Sequence, residues 1–513
     1  MRYGKSIQNT ISKFKQLKWV EPLDKAAWIL ITVLTVLIGI VLLTGDRTTP
    51  QVKEFSWQNK QIGAEDMGLL LTFNRPMNRE SVEKNFQIDP PLPGKISWAG
   101  RRMAYTLSEP VPYGTPFSVQ LKGARDHLYG DKPGTLIQPF NGFFRSRDRA
   151  FAYIGVQENQ EGKLVLVNLS EKEPKPIILT PEDLVVLDFK IYPKGDKILF
   201  SAINKSEQKQ GSISPELYTV ATGINPQSPG EDPEPAQPVG KIEKILDAKY
   251  YRNLKFDLSP DGKIIVVQRV SQTNPNDASP WFIESGKSPK PLNIQGGDFL
   301  IAPDSQSLVI AQGPDLTTIL PLKPDAKPLE FLPKFGRVLG FANDGSAAAM
   351  LKFNPDGTRS LFIVNNQGQE QELYRTPPFG NIVSAEFDPS NSLLYSLITE
   401  VLDNPEVYKE QPYIVAIDIK TKQVVPFVIL PNQQEINISL SPDGLALLFD
   451  QTVIGIGESN DSSQATKTQA GDTIKTSRIW ILPLMIDTPT DGSKPQVKPE
   501  ELPFFGFHPQ WLP

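Results

Sequence analysis

The 513-residue chain contains no cysteine. Disulfides, thiolate metal sites and thiol nucleophiles are therefore excluded. Histidine is scarce as well, with His127 and His508 the two present. A histidine-built zinc site needs a clustered pair, which this count disfavours. Any Ser-His-Asp triad would have to use one of these two residues. No G-x-S-x-G elbow occurs. Positive charge is not in excess: 53 Lys and Arg face 58 Asp and Glu, for a net charge of -5. Nucleic-acid binders concentrate positive charge, so nucleic acid is not an expected partner. Gly286-Lys287-Ser288 resembles the tail of a phosphate loop, but Trp281 stands where its first glycine is required. Gly455 and Gly457 lack the third glycine of a dinucleotide fingerprint at Asn460. No D-x-D-x-D run surrounds Asp261 or Asp443, so both read as turn residues, not calcium ligands. No catalytic, cofactor-binding or metal-ligating residue stands out, and no cofactor is expected.

Long apolar runs are also missing, with one exception. Ala26 to Gly45 reads AAWILITVLTVLIGIVLLTG, 20 residues without a charge, of which 12 are Leu, Ile or Val. That is the length a helix needs to cross about 30 Å of hydrocarbon. Trp28 sits where interfacial aromatics collect. Arg2, Lys5, Lys13, Lys15, Lys18 and Lys25 precede the run, against Glu21 and Asp24. This bias predicts a single-pass transmembrane helix over 26–45, with a basic cytoplasmic tail over 1–25. The bulk of the chain would then lie outside the cytoplasm. A cleaved signal peptide is the alternative, but its apolar core is usually shorter and its exit small at the −3 place, where Leu43 stands. Ser6 to Val20 reads either as a basic amphipathic helix or as a solvated tail.

What the sequence has in plenty is proline, 48 residues, spread among Gly-rich turns and Val/Ile/Thr-rich segments. Proline sits poorly in helices and central strands, so the pattern reads as all-β with many turns. Over residues 52–147, Leu69 to Phe73, Ile96 to Trp98, Met103 to Leu107 and Phe117 to Leu121 read as short strands between turn signals. They suggest a β-sandwich in which Trp98 and Tyr105 belong to the core. Arg145, Arg147 and Arg149 read as a solvated basic linker between this unit and the next.

Residues 148–513 carry an internal repeat: apolar strand, Pro-Asp-Gly-like turn, second apolar strand. The full form is Ser259-Pro260-Asp261-Gly262 and Ser441-Pro442-Asp443-Gly444. Weaker copies stand at Pro193, Pro303, Asn343 and Pro389, and a last one at Pro509. Proline ends the strand because it cannot donate to the ladder, and Asp-Gly supplies the positive φ of a tight hairpin. Three or four strands per copy predict propeller blades. The last copy leaves no room for further strands, yet the array opens with an orphan hairpin, Phe151 to Gly155 and Lys163 to Val167. That hairpin is predicted to complete the last blade and close the ring, giving seven blades, or six if a weak copy is not a blade. Polar or Pro-rich insertions at 204–215, 222–240 and 458–475 read as loops.

Two resemblances follow. The Ser-Pro-Asp-Gly copies resemble the TolB-like propellers over some 360 residues. That likeness implies a protein-binding platform; some relatives add a peptidase domain, which does not follow in this sequence. Phe73, Pro76, Met77, Ser81, Val82, Asn85 and Phe86, with Tyr113, Gly114, Thr115 and Asp126, resemble the bacterial Ig-like domain of surface-layer proteins. This second likeness implies a spacer or adhesive module. With these resemblances the expectation is a non-enzymatic scaffold anchored by a single pass in a bacterial inner (or internal) membrane, its bulk periplasmic, with an envelope or membrane protein as partner and an open oligomeric state. The alternative is a propeller enzyme, a hydrolase or lyase acting on an envelope peptide or glycan. A third reading, a sensor signalling inward, would need a further partner because the tail is short.

Overall fold

The computed structural model describes residues 22–44, 48–127, 134–208, 214–226, 235–402, 410–431, 436–454, 474–484 and 498–513. The expected tail helix over 6–20, the Gly455-x-Gly457 motif and the middles of the three insertions lie outside them. The apolar run does fold as a helix, Pro22–Thr44. Among the described residues, no helix is long and apolar enough to cross a membrane. The transmembrane helix in the expected fold class, the orientation derived from it and the inner-membrane location are corrected accordingly. The all-β class stands for the rest of the chain.

Residues 52–146 form two four-stranded sheets. One contains Val52–Phe55, Gly68–Phe73, Arg102–Leu107 and Gly94–Ala99; the other contains Gln61–Ile62, Phe140–Ser146, Pro116–Leu121 and Phe86–Asp89. Alternation places Leu69, Leu71 and Phe73 of the first sheet in one core with Phe117, Val119 and Leu121 of the second. Trp57, 1% exposed, is the large aromatic at its centre. Trp98 and Tyr105 are partly buried against this core. The Trp98 ring stacks on Phe73 at 5.9 Å, and its indole N–H donates to Glu83.

Seven further four-stranded sheets follow. Their innermost strands are Leu184–Ile191, Tyr251–Leu258, Phe299–Ile301, Arg337–Phe341, Asn381–Phe387, Ile438–Leu440 and Gly506–Trp511, which define the first to seventh blades. The seventh blade is composite. Gly506–Trp511 pairs with Ala150–Gly155, which pairs with Leu164–Asn168 and then Ile177–Ile178. The last strand thus joins the first hairpin, and no inner edge is left open there. Phe151, Tyr153, Phe504 and Trp511 fill the core of this closure.

The turn chemistry is uniform. In the first six blades the residue after the turn is left-handed: Gly195, Gly262, Ser305, Gly345, Asn391 and Gly444 have φ between 56° and 71°. Each N–H bonds back three residues, as Gly262 does to Ser259 O at 2.8 Å. Ser259 Oγ donates to Asp261 and accepts from Ile264 N, and Ser441 does the same with Asp443 and Ala446 N. The Ser-x-Asp pair therefore satisfies turn groups that would otherwise lack partners.

Candidate functional site at the channel mouth

The innermost strands line the central channel, and the repeat register decides which side chains meet there. Lys190, Asp257 and Glu386 stand three residues before Pro193, Pro260 and Pro389. Asp188, Lys255, Asp298 and Ser384 stand five before the corresponding prolines. Period-two alternation sends both sets to the same face. They form two layers of a ring.

Every seam of the ring is spanned by one of these groups, by Ser439 or by a close backbone contact. Lys190 Nζ of the first blade lies 3.7 Å from Asp257 of the second. Asp257 accepts the Ile301 N–H of the third at 2.8 Å. Asp298 pairs with Lys255 of the second blade and, at 2.5 Å, with Arg337 of the fourth. Gly340 brings the fourth blade so near the fifth that a Cβ there would lie 2.7 Å from Ala385 O. Glu386 accepts the Leu440 N–H of the sixth blade at 2.8 Å. Ser439 accepts the Trp511 N–H of the seventh at 3.2 Å. His508 Nδ1 returns to Asp188 of the first blade at 3.3 Å. Carboxylates here accept backbone N–H groups of the next blade, which joins blades without side-chain packing.

The electrostatics follow from that burial. Desolvation raises the Glu386 carboxyl to about 7, against the Leu440 N–H and the Lys190 charge, which lower it. Desolvation raises Asp450, behind the channel wall, to about 6, although the Asn437 and His508 N–H groups bond to it. Burial lowers the His508 imidazole, with Asp188 opposing and Lys190 adding to the effect. Burial would lower Lys190 too, but Asp257 and Asp188 outweigh it and hold the ammonium above its ordinary value. Glu386 also lines a cavity of about 250 Å³ with Leu339, Gly340, Phe341, Leu440 and Ser441. A carboxyl near neutrality within the field of an ammonium across the channel can hold or release a proton, and it can bind a polar group.

The structure brings one sequence-flagged residue, His508, into this site; His127 lies in the sandwich. Among the described residues, no group of three or more His, Asp or Glu is arranged to hold a metal ion. Asp443 is a turn residue with a second task. Its carboxylate accepts the Tyr113 N–H at 2.9 Å and faces Arg149 at 3.4 Å, with 1% of its side chain exposed. The expected solvated linker is therefore corrected. Arg147 is buried against Glu65 and Arg149 clamps the sandwich to the sixth blade, while Arg145 pairs with Asp148 nearer the surface. Sequence reading passed over Lys190, Asp257 and Glu386. The signal that would have found them was their shared offset from the turn proline.

No family model matches the sequence, and no curated protein matches it. The resemblance to bacterial Ig-like domains is therefore unsupported. Its Ser81, Val82 and Asn85 lie in a short helix, Arg79–Asn85, capped by Asn78. Among solved structures, the chain is similar to TolB from Acinetobacter baumannii, at 12% identity and TM-score 0.38, over 84% of this chain and 83% of that one. It is similar to oligogalacturonate lyase from Vibrio parahaemolyticus, at 10% identity and TM-score 0.41, over 67% and 92%. It is also similar to prolyl oligopeptidase B from Galerina marginata, at 12% identity and TM-score 0.40, over 69% and 52%. At such scores the propeller is read from the chain's own strand pairings, and these proteins differ in what their names say they do.

Proposed function

We propose that the chain is a non-enzymatic binding protein whose propeller, residues 148–513, serves as a protein-interaction platform, with the sandwich over 52–147 fixed to it as a rigid extension. The observation that carries this reading is the engagement of the channel carboxylates. Asp257 and Glu386 accept backbone N–H groups of the following blade, Asp298 sits in cross-blade ion pairs, and Asp188 faces His508 of the seventh blade. These groups hold a ring together, which is what a preorganised docking scaffold needs. The partner is a protein that reads the shape of one propeller face.

A second reading has one specific observation in its favour. Glu386, near neutrality in its cavity with Lys190 across the channel, has the properties of a general acid or base. On that reading the propeller would be a hydrolase or lyase acting on a peptide or glycan.

One experiment separates the two. Proteins recovered by cross-linked capture on the tagged full chain are purified and titrated against it. The platform reading expects a saturable one-to-one complex whose affinity Glu386→Gln leaves within about twofold. Absence of any saturable complex, with turnover of a peptide or oligosaccharide that Glu386→Gln abolishes, would overturn it in favour of the enzyme.

A further inference from the structure

The seam between the third and fourth blades departs from the others at one position. Three residues after the left-handed turn residue stand Ile198, Ile265, Leu308, Leu394 and Leu447 in the other five regular blades. All five are buried, each in a hydrophobic cluster with residues of the preceding blade. In the fourth blade the same place is Ala348. It lacks the methylenes that its counterparts place in the other seams, and it is only partly buried. Beside it opens a cavity of about 720 Å³, whose apolar wall includes Val309, Ile319, Leu332, Val338, Phe341 and Met350. This volume falls in the range of about 300–1,000 Å³ usual for small-molecule sites.

Charge gives the cavity a sign. Its lining includes Asp304, Glu330 and Asp344 and no Lys, Arg or His. The comparable cavity between the first and second blades, about 460 Å³, is lined by Lys194, Lys197, Lys244, Lys263 and Lys287 together with acids. Asp344 is held below the usual carboxylate range by hydrogen bonds to Ser346, so it stays anionic at neutral pH. The rim also carries the amides of Asn343, Asn365, Asn366 and Gln367. An apolar wall under an acidic, amide-bearing rim suits a molecule with an apolar body and a cationic head.

We propose that the cavity between the third and fourth blades binds a small amphipathic cation, an aryl or branched alkyl body carrying a protonated amine. The site adjoins the Glu386 cavity, with which it shares Phe341 and Asn343, but it does not depend on the platform reading. The test uses the full chain and two probes with one apolar body, 4-phenylbutylamine and 4-phenylbutyrate, followed by calorimetric titration and thermal shift. The amine binds and raises Tm, and the carboxylate binds at least roughly tenfold more weakly. Ala348→Leu, which restores the side chain of the other seams, raises Tm without ligand and abolishes amine binding. Glu330→Gln, at an exposed rim position, keeps the fold and weakens the amine without improving packing. Absence of amine binding, equal binding of the two probes, or amine binding unchanged in Ala348→Leu would each overturn the proposal.

Discussion

At the scale of single residues, burial sets apart chemically identical groups. Asp261 and Asp443 hold the same place in two complete Ser-Pro-Asp-Gly turns. The Asp261 side chain is 38% exposed beside Lys263, whereas that of Asp443 is 1% exposed and bonded to the sandwich. Asp443→Ala is expected to cost about 2–3 kcal/mol, because it leaves the Tyr113 N–H and the Arg149 charge without a partner. Asp261→Ala is expected to cost less than about 1 kcal/mol. Urea unfolding of both variants checks the contrast. Glu386 gives a pH signature. Its folded pKa, about 7, lies above its unfolded value, so the folded state holds more protons between pH 4.5 and 7. Its contribution to stability is greatest below that window and falls as pH rises through it. Glu386→Gln keeps an acceptor for the Leu440 N–H and removes the titration. The wild-type Tm should therefore drop relative to the variant between pH 5 and pH 8. The difference isolates Glu386 from His508, whose lowered pKa acts in the opposite direction. Parallel curves would mean that the carboxyl titrates normally.

At the scale of elements, the composite seventh blade is where the ring is most exposed to disruption. Ala150–Gly155 pairs on one side with Leu164–Asn168 and on the other with Gly506–Trp511, so its loss leaves two strand edges open. Deleting 151–167 is expected to abolish the cooperative unfolding transition of the propeller by circular dichroism. A truncation that keeps its thermal transition would mean that closure does not hold the ring. The hairpin turns were legible at this scale because their causes are local. Proline, aspartate and a left-handed residue act within four positions, and Ser305 and Asn391 adopt the same conformation where glycine is absent. The cross-blade seams were not legible. Asp257 meets Ile301 and Glu386 meets Leu440, at separations of 44 and 54 residues that no local pattern records.

At the scale of the whole molecule, the junction between sandwich and propeller is built of buried polar contacts rather than a solvated linker. Tyr113, Arg149 and Asp443 tie the two units together, and Arg147 with Glu65 closes the sandwich side. Calorimetry of the full chain should show the two units unfolding in one transition, and Asp443→Ala should split it into two. Two transitions in the wild type would mean that the junction is too weak to couple them. The sequence by itself determined the all-β class after the N-terminal helix, the repeat, the turn geometry and the pairing of the last strand with the first hairpin. All of these follow from short-range backbone preferences and from the need to leave no strand edge unpaired. Tertiary structure alone decided which charges face the channel, that Arg147 is buried while Arg149 reaches Asp443, and that Ala348 borders a cavity between the third and fourth blades. These depend on what another blade places opposite, and burial, not residue identity, fixes the free energy of a charge or a gap.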